Sequence, residues 1–241
     1  MPLKATGSPT SNRILSDIQP IISFFEEYHA LQLDYMNTDT MIRRIYMIFE
    51  KFHISSVDQF FSYMKNDHHF SEQVIRLLYP SETELFRDPT FWALISKKIN
   101  HLINKNKTTD IAFLDITSGE ELYSLIIAMQ EHNLLKNISV AAYSPASAIK
   151  KFIMSGLITS TRLDHHNENY KLSGGKSSIS NYFEPVGKQW IFNNEMLYNI
   201  KYDQKYPVEF NTLDKYDILF FRNRLMHYNY NTAKEIILKL A

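Results

Sequence analysis

The sequence predicts an α/β protein in which a helical subdomain precedes a parallel sheet wrapped by helices. Two observations divide the chain. Residues 13–80 carry apolar stripes at helical spacing and contain no glycine, whereas beyond Asp88-Pro89 short apolar runs alternate with helical stretches. A third observation orders the sheet units: the first apolar run ends at Thr117-Ser118-Gly119, and a helical pattern opens directly after it.

In the helical part, Ile42, Ile45, Tyr46, Phe49 and Phe52 fall at helical spacing, with Arg43, Arg44 and Glu50 on other faces. Ser55-Ser56 offers a cap to the next stripe, Val57, Phe60, Phe61 and Met64. Residues 91–102 are predicted helical and residues 104–110 a polar loop. Residues 111–116 form an apolar run of the kind a strand covered on both faces requires. The helix after Gly119 carries Leu122, Leu125, Ile126 and Met129 on one face. Residues 138–143 are a second strand, followed by a helix over 146–155. Residues 216–221 are a third strand, and 232–240 a closing helix. Between them, residues 159–186 are polar and hold Ser173-Gly174-Gly175-Lys176, so they are expected to be an insertion. The expected organisation is a disordered tail over 1–12, a helical domain over 13–80, and an α/β domain over 81–241.

Composition narrows the functional classes. The 241 residues are 44% hydrophobic, enough for a packed core. With 26 basic and 26 acidic side chains, bulk charge does not suit a protein that coats nucleic acid or anionic membrane. The absence of cysteine excludes disulfides, thiolate metal sites and a cysteine nucleophile. No apolar run approaches the roughly 18 residues of a membrane span. The first dozen residues lack the hydrophobic stretch of a secretory signal, so a cytoplasmic protein is expected.

Four stretches, in order, resemble the CheR family of chemotaxis methyltransferases. Ser81-Glu82-Thr83-Glu84-Leu85-Phe86-Arg87-Asp88-Pro89 is similar to the family's N-x-T-x-x-F-R-D-P box. Thr117-Ser118-Gly119-Glu120-Glu121-Leu122-Tyr123-Ser124 is similar to its S-T-G-E-E-x-Y-S turn. Glu168-Asn169-Tyr170 through Ser173-Gly174-Gly175-Lys176 is similar to an insertion in one branch of the family. Asp217-Ile218-Leu219-Phe220-Phe221-Arg222-Asn223 is similar to its D-x-I-x-C-R-N strand.

The resemblance implies a Rossmann-like class I methyltransferase domain that binds S-adenosylmethionine (SAM) and transfers its methyl group to glutamate side chains of a chemoreceptor-like partner. It implies that Thr83 and Arg87 contact the cofactor and that Arg87 also aligns the substrate carboxylate. Glu120 would hold the cofactor's amino group, and Arg222 and Asn223 would lie beside the cofactor. Several positions depart from the family pattern. Ser81 stands for the box asparagine, and Asp115 for a small residue of the turn. Tyr143 stands for the aspartate that accepts hydrogen bonds from the ribose. Met196 falls on an asparagine near the adenine. His227, with Tyr228 adjacent, falls on the tyrosine near the transferred methyl. The family's basic helical domain is replaced by one with 6 basic and 9 acidic residues over 13–80. The family normally continues with a final antiparallel strand pair, whereas this sequence stops at Ala241.

Two functions follow from that mixture. One is a protein-glutamate O-methyltransferase with an altered cofactor site. The other is a catalytically inactive relative that serves as an interaction module in signalling. Asp67-His68-His69 and Asp164-His165-His166 read as solvated histidines rather than metal ligands, since adjacent side chains diverge. Arg43-Arg44 reads as a solvated helix face, Arg87 as a possible partner of Asp88 or Glu84, and Glu120 as a helix-start acid that also complements the dipole.

Overall fold

The computed structural model describes residues 11–81, 84–158, 163–187 and 189–241. The first ten residues of the expected tail, together with Glu82 and Thr83, lie outside the described residues. Ser11 and Asn12, expected in that tail, instead open the first helix.

The helical part contains α1 (Ser11–His29), α2 (Thr38–Lys51), α3 (Val57–Asn66) and α4 (His68–Leu78). Each of the last three starts where a short polar side chain accepts a first-turn amide. Asn37 accepts from the N–H of Thr40, Ser56 from Gln59 and Asp67 from Phe70. The stripes meet in an aromatic core in which Phe60 stacks on Phe49 at 5.3 Å and meets Phe70 edge-on at 6.3 Å. Asp67, read as a companion of solvated histidines, is therefore a helix cap.

Beyond Pro80 the order is α5 (Pro89–Asn106), β1 (Thr109–Phe113), α6 (Glu120–Glu131), β2 (Ile138–Ser144), α7 (Ser147–Met154), β3 (Leu157–Ile158), α8 (Leu163–Leu172), β4 (Phe183–Val186), β5 (Gln189–Phe192), β6 (Ile200–Gln204), β7 (Ile218–Phe220) and α9 (Tyr230–Leu240). The polar loop expected over 104–110 is shorter, because α5 runs to Asn106, and β1 ends three residues before Ile116. Strands β6, β2, β1 and β7 form one parallel sheet in that order. A second, antiparallel sheet has the order β3-β5-β4. The polar stretch 159–186 thus contributes a helix and a strand.

The contacts divide the chain into two units, Ser81–Phe221 and the remainder, in which Arg222–Ala241 joins the residues up to Pro80. Within the α/β unit, Phe220 stacks on Phe113 at 4.5 Å and on Trp92 of α5 at 5.9 Å. Within the helical unit, the segment before α9 is sewn down by backbone bonds. The amide of Asn37 donates to the carbonyl of His227 at 2.8 Å, that of Asn229 to Tyr35 at 2.9 Å, and the Arg224 guanidinium to the carbonyl of Pro80 at 2.7 Å.

Candidate active site

All strands of the parallel sheet point their carboxyl ends one way, and the turn after β1 emerges there. Two hydrogen bonds fix it: the Leu114 amide donates to Phe220 at 2.9 Å and the Ile116 amide to Tyr143 at 2.8 Å. Asp115, between them, has φ +59°, a left-handed conformation that a non-glycine residue adopts at a cost of about 1–2 kcal/mol. Gly119 ends the turn because a Cβ there would run into the Tyr123 ring. The turn is dry: Asp115 is 3% exposed and Glu120 only 1%. Two carboxylates therefore sit in a buried turn at the start of α6, where Glu120 is the helix-start acid that its position in the sequence suggests.

The 81–88 segment is tied to the same helix. The Phe86 amide donates to Ser124 Oγ at 2.8 Å, and that hydroxyl donates to the Glu120 carbonyl at 2.7 Å. Arg87 is exposed, flanked by Phe86 at φ +52° and Asp88 at φ +58°. Such paired strain is the kind that folded proteins keep at working sites. Ser81 is exposed.

At the carboxyl end of β2, the Tyr143 phenol lies 2.5 Å from the phenol of Tyr216, and its ring meets Phe210 edge-on at 4.7 Å. Burial first, and then the hydrogen bond to Tyr216, raise its pKa above the usual phenol value, against the opposing charge of Lys215. Asp203 stands in register with Tyr143 on β6, exposed, with Oδ1 accepting the Gln204 amide at 2.8 Å. Met196 is not at this end. It lines a hollow with Leu135, Ile138 and Ile200, at the amino ends of β2 and β6, so the adenine position assigned to it is corrected.

The helical unit holds a second group of the residues that the sequence singled out. His227 is partly buried and its pKa is lowered to about 4, first by desolvation and then by the charges of Arg224, Arg44 and Arg43. Burial and the same two arginine neighbours also lower the pKa of Arg44. Arg44 is thus not the solvated side chain its sequence context suggests, and Arg224 was missed altogether. Tyr228 is buried and its backbone bridges Met36, while Asn223 is exposed at φ +55°. Arg222 directly follows Phe221, partly exposed. Among the described residues, no three histidine, aspartate or glutamate side chains gather as a metal-ligand set, and no helix is long and apolar enough to cross a membrane.

The donor set fits S-adenosylmethionine. The buried Glu120 carboxylate matches the ligand's ammonium charge, while Asp115 remains a bulkier residue than the turn of the family carries. The first-turn amides of α6 match its carboxylate. The carboxyl end of β2 carries Tyr143 where the resemblance implies an aspartate, and Asp203 is an acid in register with it on β6.

Comparison with known proteins agrees. Residues 81–241, well over half of the chain, match the family described as "CheR methyltransferase, SAM binding domain". A protein of Pseudomonas putida named "Putative methyltransferase Cher3" is 20% identical over 187 residues, covering 78% of this chain and 68% of the relative. A second from that organism, "Chemotaxis protein methyltransferase Cher2", is 25% identical over 181 residues, covering 70% of this chain and 63% of the relative. Four motif stretches, a parallel sheet with a buried acidic turn and a family match across the α/β region converge: the chain is a divergent member of the CheR methyltransferase family, whose cofactor is S-adenosylmethionine.

Proposed function

We propose that the chain is a cytoplasmic protein-glutamate O-methyltransferase acting on an acidic segment of a chemoreceptor-like partner, without nucleic acid or membrane insertion. The observation that carries this reading is the dry turn after β1, where Glu120 is 1% exposed within the matched family domain, and beside the half-buried His227 the helical unit gathers the charges of Arg43, Arg44 and Arg224. Such a group is relieved by an anion, and a glutamate carboxylate supplies one.

The chemistry asks for alignment and exclusion of water more than for proton transfer. The bound cofactor would supply an electrophilic methyl group and leave as a neutral thioether. Glu120 holds its amino group at the dry turn. Arg87 orients the carboxylate, the role that the family resemblance implies for it. That carboxylate is already ionised at neutral pH, so no general base is required. His227 or Tyr228 lines the substrate side, and the imidazole is uncharged there.

The test is calorimetric titration of the full chain with S-adenosylmethionine and S-adenosylhomocysteine, followed by transfer of labelled methyl to acidic peptides. Micromolar binding with incorporation at glutamate is expected. A folded chain that gives no heat at millimolar ligand would overturn the reading.

A second reading, an inactive interaction module, is favoured by one observation: Tyr143 replaces the ribose aspartate and its phenol is already engaged with Tyr216. Two or three lost hydrogen bonds of about 0.5–1.5 kcal/mol each would weaken binding ~10–1000-fold. If the wild-type chain does not bind, a Tyr143→Asp, Asp115→Gly double variant that does bind identifies a decayed cofactor site.

A further inference from the structure

The sequence stretch Glu168-Asn169-Tyr170 through Gly175-Lys176 has no part in the chemistry above, and residues 163–177 lie in and just after α8. Helix α8 makes polar contacts with Glu84 and Leu85 of the 81–88 segment. His166 is fully buried, which corrects its reading as a solvated histidine, and its Nδ1 accepts the Leu85 amide at 3.3 Å. Asn169 Nδ2 donates to the Leu85 carbonyl at 3.2 Å and to Glu84 Oε2 at 3.4 Å. His165 Nε2 lies 3.3 Å from the same Glu84 oxygen. The Tyr170 ring closes on Phe86 edge-on at 5.3 Å.

Helix α8 is itself braced. The Tyr170 phenol donates to the Glu131 carboxylate at the end of α6, which also accepts from the Tyr182 phenol at 2.9 Å and the Lys176 amide at 3.0 Å. Gly175 is required because a Cβ there would strike the Tyr170 ring. The residues of the motif therefore make one connected brace.

What the brace holds is strained. Phe86 and Asp88 are both left-handed without being glycine, and Arg87 stands between them. A segment of that kind keeps its shape only where surrounding contacts over-determine it. Ser124 fixes Phe86 from the α6 side. From the other side, both polar groups of the Leu85 backbone are taken by α8.

We propose that His166 and Asn169 are positioning residues: α8 clamps the backbone of Leu85 so that the strained turn presents Arg87 to its ligand. The clamp rests on the reading that Arg87 serves the cofactor site. His166 bears its ring proton on Nε2, so Nδ1 acts as the acceptor. An asparagine at 166 places an oxygen near the Nδ1 position, whereas leucine cannot accept.

The experiment compares His166→Leu, His166→Asn and Asn169→Ala with the wild-type chain. Each is examined by hydrogen exchange resolved to residues 81–88 and by S-adenosylhomocysteine titration, with thermal unfolding as a check on folding. In His166→Leu and Asn169→Ala, exchange over 84–88 should rise about tenfold or more while β1 and β2 keep their protection. Affinity for S-adenosylhomocysteine should fall about tenfold in the same variants. His166→Asn should restore both. Folded variants with wild-type exchange over 84–88 overturn the clamp, and faster exchange with unchanged affinity overturns its positioning role. If the wild-type chain binds no S-adenosylhomocysteine, the cofactor reading fails, and faster exchange over 84–88 still supports the clamp. Asn169→Ala, removing one amide at the edge of the buried contact, keeps the question answerable if His166→Leu does not fold.

Discussion

His227 shows how a neighbourhood sets a residue's chemistry. Burial and three guanidinium groups hold its pKa near 4, against 6.5 for an ordinary histidine. The sign follows from proton binding: between pH 6.5 and 4 the unfolded chain takes up a proton that the folded chain refuses. Stability is therefore fully present above about pH 6.5 and declines as pH falls toward 4. The ring is partly exposed, so solvent screening reduces the loss to about 1–2 kcal/mol. Urea midpoints at pH 7 and pH 4.5 should differ less in His227→Gln than in the wild-type chain, by an amount of that order. Glu120 is the complementary case, a carboxylate that is buried at the start of α6. A Glu120→Gln change keeps the shape and removes the charge. A charge-assisted hydrogen bond is worth about 1.5–3 kcal/mol, so S-adenosylhomocysteine should bind about 10–100-fold more weakly by calorimetry.

At the scale of elements, Gly119 and Tyr123 make one device. The helix begins where the ring folds back over a residue without a Cβ, and the Tyr123 hydroxyl donates to the Ile153 carbonyl at 2.5 Å. In Gly119→Ala the added methyl must displace a wholly buried ring, an overpacking of the kind that costs about 1–3 kcal/mol. Thermal unfolding should show that loss, and Gly119→Ala, Tyr123→Leu together should recover part of it. The turn was legible in the sequence as Thr117-Ser118-Gly119-Glu120, whereas the ring over Gly119 was not. The strands β1, β2 and β7 were equally legible, because covered strands read as apolar runs. Strand β6 was not: its Ile200-Lys201-Tyr202-Asp203-Gln204 mixes charges into an edge position. Its omission also misplaced Met196, since the residues at the carboxyl edge beside Tyr143 are Asp203 and Gln204. His166 escaped notice because a His-His pair in a polar stretch gives no sign that one ring is buried. Arg44 and Arg224 lie 180 residues apart in sequence, and no local pattern announces that they meet near His227.

On the scale of the molecule, the chain passes from one unit to the other at Pro80–Ser81 and returns at Phe221–Arg222. The return has structural consequences for the helical unit. Residues 222–241 satisfy the amide of Asn37 and the carbonyls of Asp34, Tyr35 and Pro80, and they supply the buried Ile236 of α9. A chain ending at Phe221 leaves those backbone groups to water and takes Arg224 and His227 away from Arg44. Its α/β unit keeps all four parallel strands, with the Phe113–Phe220–Trp92 stack intact. The two units should therefore respond differently to the truncation. Hydrogen exchange over residues 34–40 should accelerate by about tenfold or more, while β1 and β2 retain their protection. Equal loss of protection in both regions would mean that the sheet depends on the returning segment as heavily as the helices do. Selective loss would assign residues 222–241 to the helical unit's stability, and with them the placing of Arg224 near Arg44.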